Sequence, residues 1–296
     1  MAVSTDLEEI LDTAFLFPEA DILIRSADGV GYRMHSQTLR ITSHFFRTML
    51  SLPQKSSDQI LLENHSRLET ISMDESAKIL SILFRIIYAL EISSWESFDE
   101  FVSVLDAARK YDMPGPISML RLMLLSPVFL LQPLRLYAVA AQFGWQKEAK
   151  MASECTLTLN IYDDEYESTL KTIPIEYFLK LIKLHHGRQL KFREMLNNPI
   201  GLFDAGNAVT VAQCGINCTF AQNNHPWHIL KIAIIHVMDR RPKGDTILQD
   251  IVTRAAAEAC WEAKCPMCSR KLYSKDQTIT NLEECLNQLP SSIEDI

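Results

Sequence analysis

The spacing of apolar and polar positions changes several times along the chain, and each change predicts a different element. Ile22–Ile24 form a short apolar run of the kind that a buried strand requires. Asp28 and Gly29 follow, a pair that tolerates positive φ in a hairpin turn. Val30–His35 can return as the partner strand, so the pattern predicts a β-hairpin.

Two short helices are predicted after this hairpin. Ser36 and Ser43 are the predicted N-caps, because a serine side chain can accept a hydrogen bond from a free amide of the first turn. Apolar residues after Ser43 recur at the spacing of one helix face, and they are Phe45, Phe46, Met49 and Leu50.

Further elements are predicted in the rest of the first half. Ile60–Leu62 fits a strand, and the apolar spacing predicts helices over Ile79–Leu90 and Phe98–Met113. Pro114–Pro116 ends the second of these helices, and Ile117–Leu125 begins another. Strands followed by helices in this order indicate an α+β fold class.

From Pro127 onward the pattern is helical, with no obvious strands. Helices are predicted over Leu134–Phe143, with Gly144 as the stop, over Gln146–Leu157 and over Ile175–Leu196. At the other end of the chain, a weak helix is predicted before residue 20, with Leu7, Ile10, Leu11 and Ala14 on one face. It is either a frayed lead-in or a dimer-arm helix.

Composition limits the classes of protein. With 296 residues the chain should hold about two domains, and its charge of −8 disfavours a nucleic-acid or anionic-membrane surface. No basic leader and no membrane-length apolar run is present, which predicts an intracellular protein, cytoplasmic or nuclear. The seven cysteines are then expected to be thiols or metal ligands rather than disulfides.

The first half of the chain resembles a BTB/POZ domain over Ala20–Leu125. The residues that carry this likeness are the two hairpin strands, the Tyr88 that ends one helix, and the Ala-Ala and Tyr of "FDEFVSVLDAARKYDM". The resemblance implies a small mixed sheet flanked by helices. It also implies a homodimer, formed through helices and a strand edge, that presents a surface to protein partners.

The second half resembles the helical extension of a group of fungal BTB proteins, and Pro133–Leu159 carry that likeness. We therefore expect five regions. They are a lead-in at 1–19, a BTB/POZ domain at 20–125, a helical extension at 126–205, a Cys-pair helical module at 206–285 and a C-terminal tail at 286–296.

Two close-spaced cysteine pairs are the strongest chemical signal. Cys214 and Cys218 form one pair, Cys265 and Cys268 the other, and four thiolates suit a closed tetrahedral zinc site. Such a site leaves no open position for catalysis, so the zinc would be structural. The alternative is that these residues are buried thiols.

The 46 residues between the pairs are predicted to bring them together. Helices over Pro226–Arg240 and Asp245–Ala263, joined by the turn Arg241–Gly244, would form an antiparallel hairpin that zinc clamps at its open end. The fungal resemblance implies the same zinc, since Trp227 and Pro242 also stand where those proteins have a Trp and a Pro.

Other titratable residues have weaker interpretations. Cys260 is a spare ligand or a core thiol, His225 or His228 could replace one cysteine, and Cys155 and Cys285 are expected to be structural. The pair His185–His186 is predicted to face solvent at a helix end. The acidic residues Asp163, Asp164, Glu165 and Glu167 are interpreted as a solvated helix start rather than a cation or acid/base site.

Several functions stay open. The main expectation is a non-enzymatic homodimeric scaffold or adaptor, because no common catalytic motif is present. A cullin-3 ubiquitin-ligase adaptor is one alternative, for which Leu61–Glu63 match the family's contact motif. A partner-mediated transcriptional regulator is another. The remaining alternative is a cysteine-dependent enzyme in which Cys214 pairs with His225 or His228.

Overall fold

The computed structural model describes residues 10–52, 68–198, 203, 224–249 and 251–295, and the chain divides into two compact units after Ser126. In the first unit, the described strands are β1 (Leu11–Leu16), β2 (Ile22–Arg25), β3 (Gly31–Met34) and β4 (Glu69–Ser72). Its helices are α1 (Ser36–Thr42), α2 (His44–Met49), α3 (Ala77–Ile87), α4 (Phe98–Lys110) and α5 (Pro114–Met123).

The four strands form one mixed sheet in the order β1-β3-β2-β4. Strands β2 and β3 pair antiparallel, with Ile22 opposite Met34, and this confirms the predicted hairpin. Gly29 has a φ of 88° in the turn, which a residue without Cβ adopts at no steric cost. The amide of Ser26 donates to the Val30 carbonyl at 2.9 Å and closes the loop.

The predicted helix before residue 20 is wrong over its described part. Leu11–Leu16 is strand β1, which lies parallel to β3, and the Gly31 amide donates to the Ile10 carbonyl at 2.8 Å. Phe15 is fully buried in this strand. The segment is a strand rather than a helix because burying this ring and pairing with the edge of β3 stabilise it more than a weak helical spacing does. Leu7 lies outside the described residues.

Aromatic rings fill the core between the sheet and α3. The ring of Phe15 meets those of Tyr32 and Phe84 edge to face at 5.3 and 6.1 Å, and all three residues are fully buried. Tyr88, just after α3, contacts Phe15 at 6.2 Å. Edge-to-face contacts add to the apolar area that these rings bury, so this cluster holds the helix on the sheet.

The two predicted caps have different outcomes. Ser43 is the N-cap of α2 and accepts a hydrogen bond from the Phe46 amide at 3.0 Å, as predicted. Ser36 is wrong as a cap, because the N-cap of α1 is His35. The Ser36 hydroxyl instead donates at 2.6 Å to the carboxylate of Asp21, which lies on the loop between β1 and β2.

The later helices of the first unit agree with the predicted pattern. Helix α4 ends at Lys110, three residues before the predicted end at Met113, and Pro114 begins α5, since proline is tolerated in the first turn of a helix. The predicted strand Ile60–Leu62 lies outside the described residues. With a mixed sheet in this unit and helices in both units, the architecture is α+β.

The second unit is helical throughout its described part, as predicted, apart from one isolated bridge between Lys264 and Lys271. Its helices are α6 (Pro127–Leu130), α7 (Pro133–Gln142), α8 (Gln146–Thr156), α9 (Glu167–Leu170), α10 (Ile175–Asn197), α11 (His225–Arg240), α12 (Ile251–Glu262) and α13 (Lys275–Asn287).

The hairpin of α11 and α12 is present, but its second helix is shorter than predicted. Helix α12 begins at Ile251, and residues 245–249 form turns. Gly244 has a φ of 72°, and a Cβ there would approach the Leu286 side chain to 2.5 Å. The chain therefore makes a close turn against α13 before α12 can start.

A second core surrounds α11. Its buried members come from α10, α11, α12 and α13 and from the segments between them, and the largest is Trp227. The Trp227 ring stacks on Phe203 with centroids 5.7 Å apart. Cys260 and Cys285 belong to the same apolar cluster, and burial raises the pKa of the Cys260 thiol to about 12.

Candidate functional site

The first unit carries exposed apolar side chains on its short helices. Ile41 on α1 is 65% exposed and Phe45 on α2 is 43% exposed. Both belong to a helix pair joined only by Ser43. Large apolar side chains that remain in water at neighbouring positions favour a protein-binding surface. We refer to Ile41 and Phe45 as the α1–α2 apolar patch.

Hydrogen bonds to the end of α4 fix the direction of this patch. The Ser43 hydroxyl donates to the Tyr111 carbonyl at 2.5 Å, and the His44 amide donates to the Asp112 carbonyl at 3.1 Å. Phe46 then points inward and is fully buried, with its ring stacked on Tyr111 at 5.6 Å. Phe45, the residue before it, meets the Tyr111 ring edge to face at 5.5 Å and remains partly exposed.

The sheet ends in two edge strands, β1 and β4, among the described residues. An edge strand presents backbone amides and carbonyls that can pair with another chain. Ile10, just before β1, and Leu16, its last residue, are both exposed large apolar residues. The first unit therefore offers an apolar helix surface and a strand edge to partners.

Cys265 and Cys268 lie on a tight turn between α12 and α13. The Cys265 amide donates to the Arg270 carbonyl at 2.9 Å, and the Ser269 amide donates to the Cys265 carbonyl at 2.8 Å. Ser269 has a φ of 55°, so it occupies the left-handed region that turns of this kind need. The Cys265 side chain is buried and that of Cys268 is exposed.

A buried hydrogen bond ties this turn to the start of α11. The Tyr273 hydroxyl donates to the Asn224 side-chain oxygen at 3.0 Å. Asn224 is the N-cap of α11 and follows Cys218 by six residues, while Tyr273 follows Cys268 by five residues. Asn224 and Tyr273, each of which follows one of the predicted ligand pairs, therefore meet at the same end of the hairpin.

Cys214 and Cys218, the other two predicted ligands, lie outside the described residues. Within the described ranges, no group of three or more metal-binding side chains occurs. His225 is exposed and His228 half-buried in the first turn of α11, and Cys155 is half-buried in α8. Two thiols on a tight turn fit the donor set that zinc prefers, so the described half of the site is compatible with that metal.

The prediction that His185 and His186 both face solvent is wrong for His185. His186 is exposed, whereas His185 is fully buried in the middle of α10, where its Nε2 contacts the Thr156 hydroxyl at 3.1 Å. Burial, with a smaller effect of the Arg188 charge, lowers the pKa of His185 to about 4. The two neighbours differ because adjacent residues on a helix point about 100° apart.

The acidic residues after Asn160 are part of a short connection, and one of them, Asp163, lines a pocket that His236 and Arg240 also line. Asp164–Tyr166 is a 3-10 helix that continues into α9, and the side chains of Asp163–Glu165 are exposed. The side-chain amide of Asn160 donates to the Asp163 carboxylate at 2.5 Å, a local bond that closes the turn. Leu61–Glu63, the segment that matches the cullin-contact letters, lies outside the described residues.

Sequence reasoning missed Arg188, a charged residue buried in α10. Its guanidinium donates to the carbonyls of Pro242, Lys243 and Pro290, at 2.5, 3.1 and 2.5 Å. One side chain thus fastens both the α11–α12 turn and the segment after α13 to α10. A charged residue between the apolar residues Leu184 and Phe192 on one helix face was the available signal.

Comparison with known proteins identifies the first unit. Residues 16–126 match the family model of the BTB/POZ domain, and the match ends where the structure divides the chain. This part of the chain is therefore a BTB/POZ domain, a class of domain that generally mediates protein–protein interaction. No curated protein matches the chain. No helix in the described ranges has the length and apolarity that a membrane span requires.

Proposed function

We propose that this chain is a non-enzymatic scaffold or adaptor that forms a homodimer through its BTB/POZ domain. The observation that carries the proposal is the α1–α2 apolar patch, which the Ser43–Tyr111 hydrogen bond holds facing outward. Burying Ile41 and Phe45 against a second copy would remove both side chains from water. A two-fold contact of this kind uses the same surface on each subunit.

Sedimentation velocity over micromolar concentrations tests the dimer. We expect the wild type to sediment at twice the chain mass, and the Ile41→Glu variant to sediment as a monomer, because it places a charge in the apolar contact. The matched control is Met151→Glu, an exposed apolar position on α8, which should leave the dimer intact. A monomeric wild type, or a dimeric Ile41→Glu variant with normal circular dichroism, would contradict the proposal.

A cullin-3 adaptor is the second candidate, and it rests on the BTB/POZ domain and on Leu61–Glu63. We expect purified cullin-3 N-terminal domain to bind the wild type and to lose binding on Glu63→Lys. No binding by the dimeric wild type would leave the scaffold and remove this candidate. A transcriptional role would act through the same protein partners, since the acidic charge of −8 disfavours direct DNA binding.

We also propose a structural zinc held by Cys214, Cys218, Cys265 and Cys268, as in the fungal BTB proteins that the second half resembles. The Tyr273–Asn224 bond supports it, because it places the two ends of the hairpin segment together. Elemental analysis should find about one zinc per chain. The double change Cys265→Ser with Cys268→Ser should lose the metal, while Cys155→Ser should keep it. A folded, metal-free wild type would contradict this site.

A further inference from the structure

Residues 288–295 are docked along α8 and α10 by specific polar contacts. Lys191 of α10 donates to the Gln288 carbonyl at 2.9 Å, and Arg188 donates to the Pro290 carbonyl. At the other end, the Ile293 amide donates to the Ser153 hydroxyl of α8 at 3.2 Å. We call residues 288–295 the docked segment.

One further pair completes the attachment, because Lys150 of α8 forms an ion pair with Glu294 at 2.7 Å. Leu289 and Ser292 of the docked segment are buried. The segment is therefore held in place by polar contacts at both ends and by Leu289, which packs in the apolar core around α11. This attachment requires that the turn between the two ends of the docked segment keep its conformation.

Asp295 holds that turn together. Its carboxylate accepts hydrogen bonds from the amides of Ser291 and Ser292 at 2.9 and 2.8 Å, and from their hydroxyls at 3.0 and 3.1 Å. These donors stabilise the charged form and lower the pKa of Asp295 to about 2. One carboxylate and two serines therefore stabilise the turn that directs the Ile293 amide toward the Ser153 hydroxyl.

The two serines differ in access. Ser292 is fully buried, whereas the side chain of Ser291 is exposed. Ser291 is followed at the third and fourth positions by Glu294 and Asp295. An exposed hydroxyl with carboxylates shortly after it in the chain is an acceptor suited to a protein kinase whose substrate groove is basic.

We propose that Ser291 is a phosphorylation site and that phosphorylation releases the docked segment. In the transfer, the Ser291 oxygen attacks the γ-phosphorus of ATP, the bond to the β-phosphate oxygen breaks and ADP leaves. The hydroxyl proton goes to the kinase's catalytic base. The products are phosphoserine and ADP.

Two effects of phosphorylation release the docked segment: the added negative charge and the loss of the Ser291 hydroxyl as a hydrogen-bond donor. The phosphate adds about −1.5 to −2 charges at the oxygen that now donates to Asp295. It replaces the hydrogen bond from the Ser291 hydroxyl, whose oxygen lies 3.0 Å from the carboxylate, with repulsion between two anions inside the turn that Asp295 holds together. Because Glu294 adds a third anion nearby, the turn opens and Ile293 loses its bond to Ser153.

The test uses the full chain, ATP and a purified kinase that prefers acidic residues after the acceptor serine. Peptide mapping by mass spectrometry should place one phosphate on Ser291. Hydrogen exchange of the Ser292 and Ile293 amides should then become roughly tenfold faster. Removing the phosphate with a phosphatase should restore the slow exchange.

Matched variants separate charge from the loss of a hydroxyl. Ser291→Glu should speed exchange in the docked segment without kinase, while Ser291→Ala, which loses one hydrogen bond and adds no charge, should change it little. No phosphate on Ser291, phosphate on Ser292 in its place, or phosphorylated Ser291 with unchanged exchange would each overturn the proposal.

Discussion

The two units are stabilised in different ways. In the BTB/POZ unit, the aromatic rings of Phe15, Tyr32 and Phe84 pack between a mixed sheet and α3, so contacts between apolar groups hold elements that are distant in sequence. In the second unit, polar side chains fasten helices to loops, and Arg188 alone bonds three main-chain carbonyls.

This difference bears on what can be recognised in the sequence. Apolar positions repeat at the periods of strands and helices, so an ordered set of them is readable and matches a family model over residues 16–126. A bond from a side chain to a distant carbonyl has no period. The links from α10 to the α11–α12 turn and to the segment after α13 therefore depend on a single residue that the pattern does not reveal.

The largest effect should come from the aromatic core. Phe84→Ala removes a fully buried ring that contacts Phe15 and Tyr32, and we expect a loss of about 3–5 kcal/mol in unfolding free energy. Urea unfolding measures the loss, and hydrogen exchange should locate it in the BTB/POZ unit. The control Leu122→Ala, at an 81% exposed position, should change little. An equal rise of hydrogen exchange in both units would contradict the proposal that the two units are stabilised in different ways.

Arg188→Met should lower the unfolding free energy by about 4 kcal/mol, because three main-chain carbonyls, one of them in a buried bond, lose a charged donor while much of the side-chain volume remains. Urea unfolding followed by hydrogen exchange should place the loss around the α11–α12 turn and the docked segment. Arg254→Met, at an exposed arginine of α12, is the control and should be near neutral. A neutral Arg188→Met would show that apolar packing alone holds the second unit.

Acid should weaken the second unit through His185. Its pKa is about 4 in the folded chain against an ordinary 6.5, so below pH 6.5 the unfolded chain binds a proton that the folded chain does not. Stability should fall between pH 6.5 and 4, by no more than about 3 kcal/mol. Thermal melts of the wild type and His185→Gln over this range check it. The variant should show a flatter pH dependence, and equal slopes would contradict the assignment.

The smallest effect should come from the helix cap of the BTB/POZ unit. Ser43→Ala removes the acceptor for the Phe46 amide and the donor to the Tyr111 carbonyl, and we expect a loss of about 1–2 kcal/mol. Ser103→Ala, an exposed serine of α4, should lose much less. If the two changes cost the same, the cap does not orient the α1–α2 apolar patch.

The sequence by itself determined the hairpin, most of the helices and the BTB/POZ resemblance. Each of these follows from local signals: Gly29 at a positive φ, Ser43 as a cap, Gly144 after α7, and apolar residues at one period. The α11–α12 hairpin was readable for the same reason. Cys265 and Cys268 lie on one tight turn, and their role as zinc ligands stays a prediction.

Only the tertiary structure decided the remaining features, because each depends on a partner far away in the chain. Leu11–Leu16 is a strand since β3 offers an edge, and Ser36 bonds Asp21 instead of capping α1. His185 is buried by α8, and Arg188 reaches carbonyls 54 to 102 residues away. Local periodicity carries no information on which distant group will meet a side chain, and the fold supplies it.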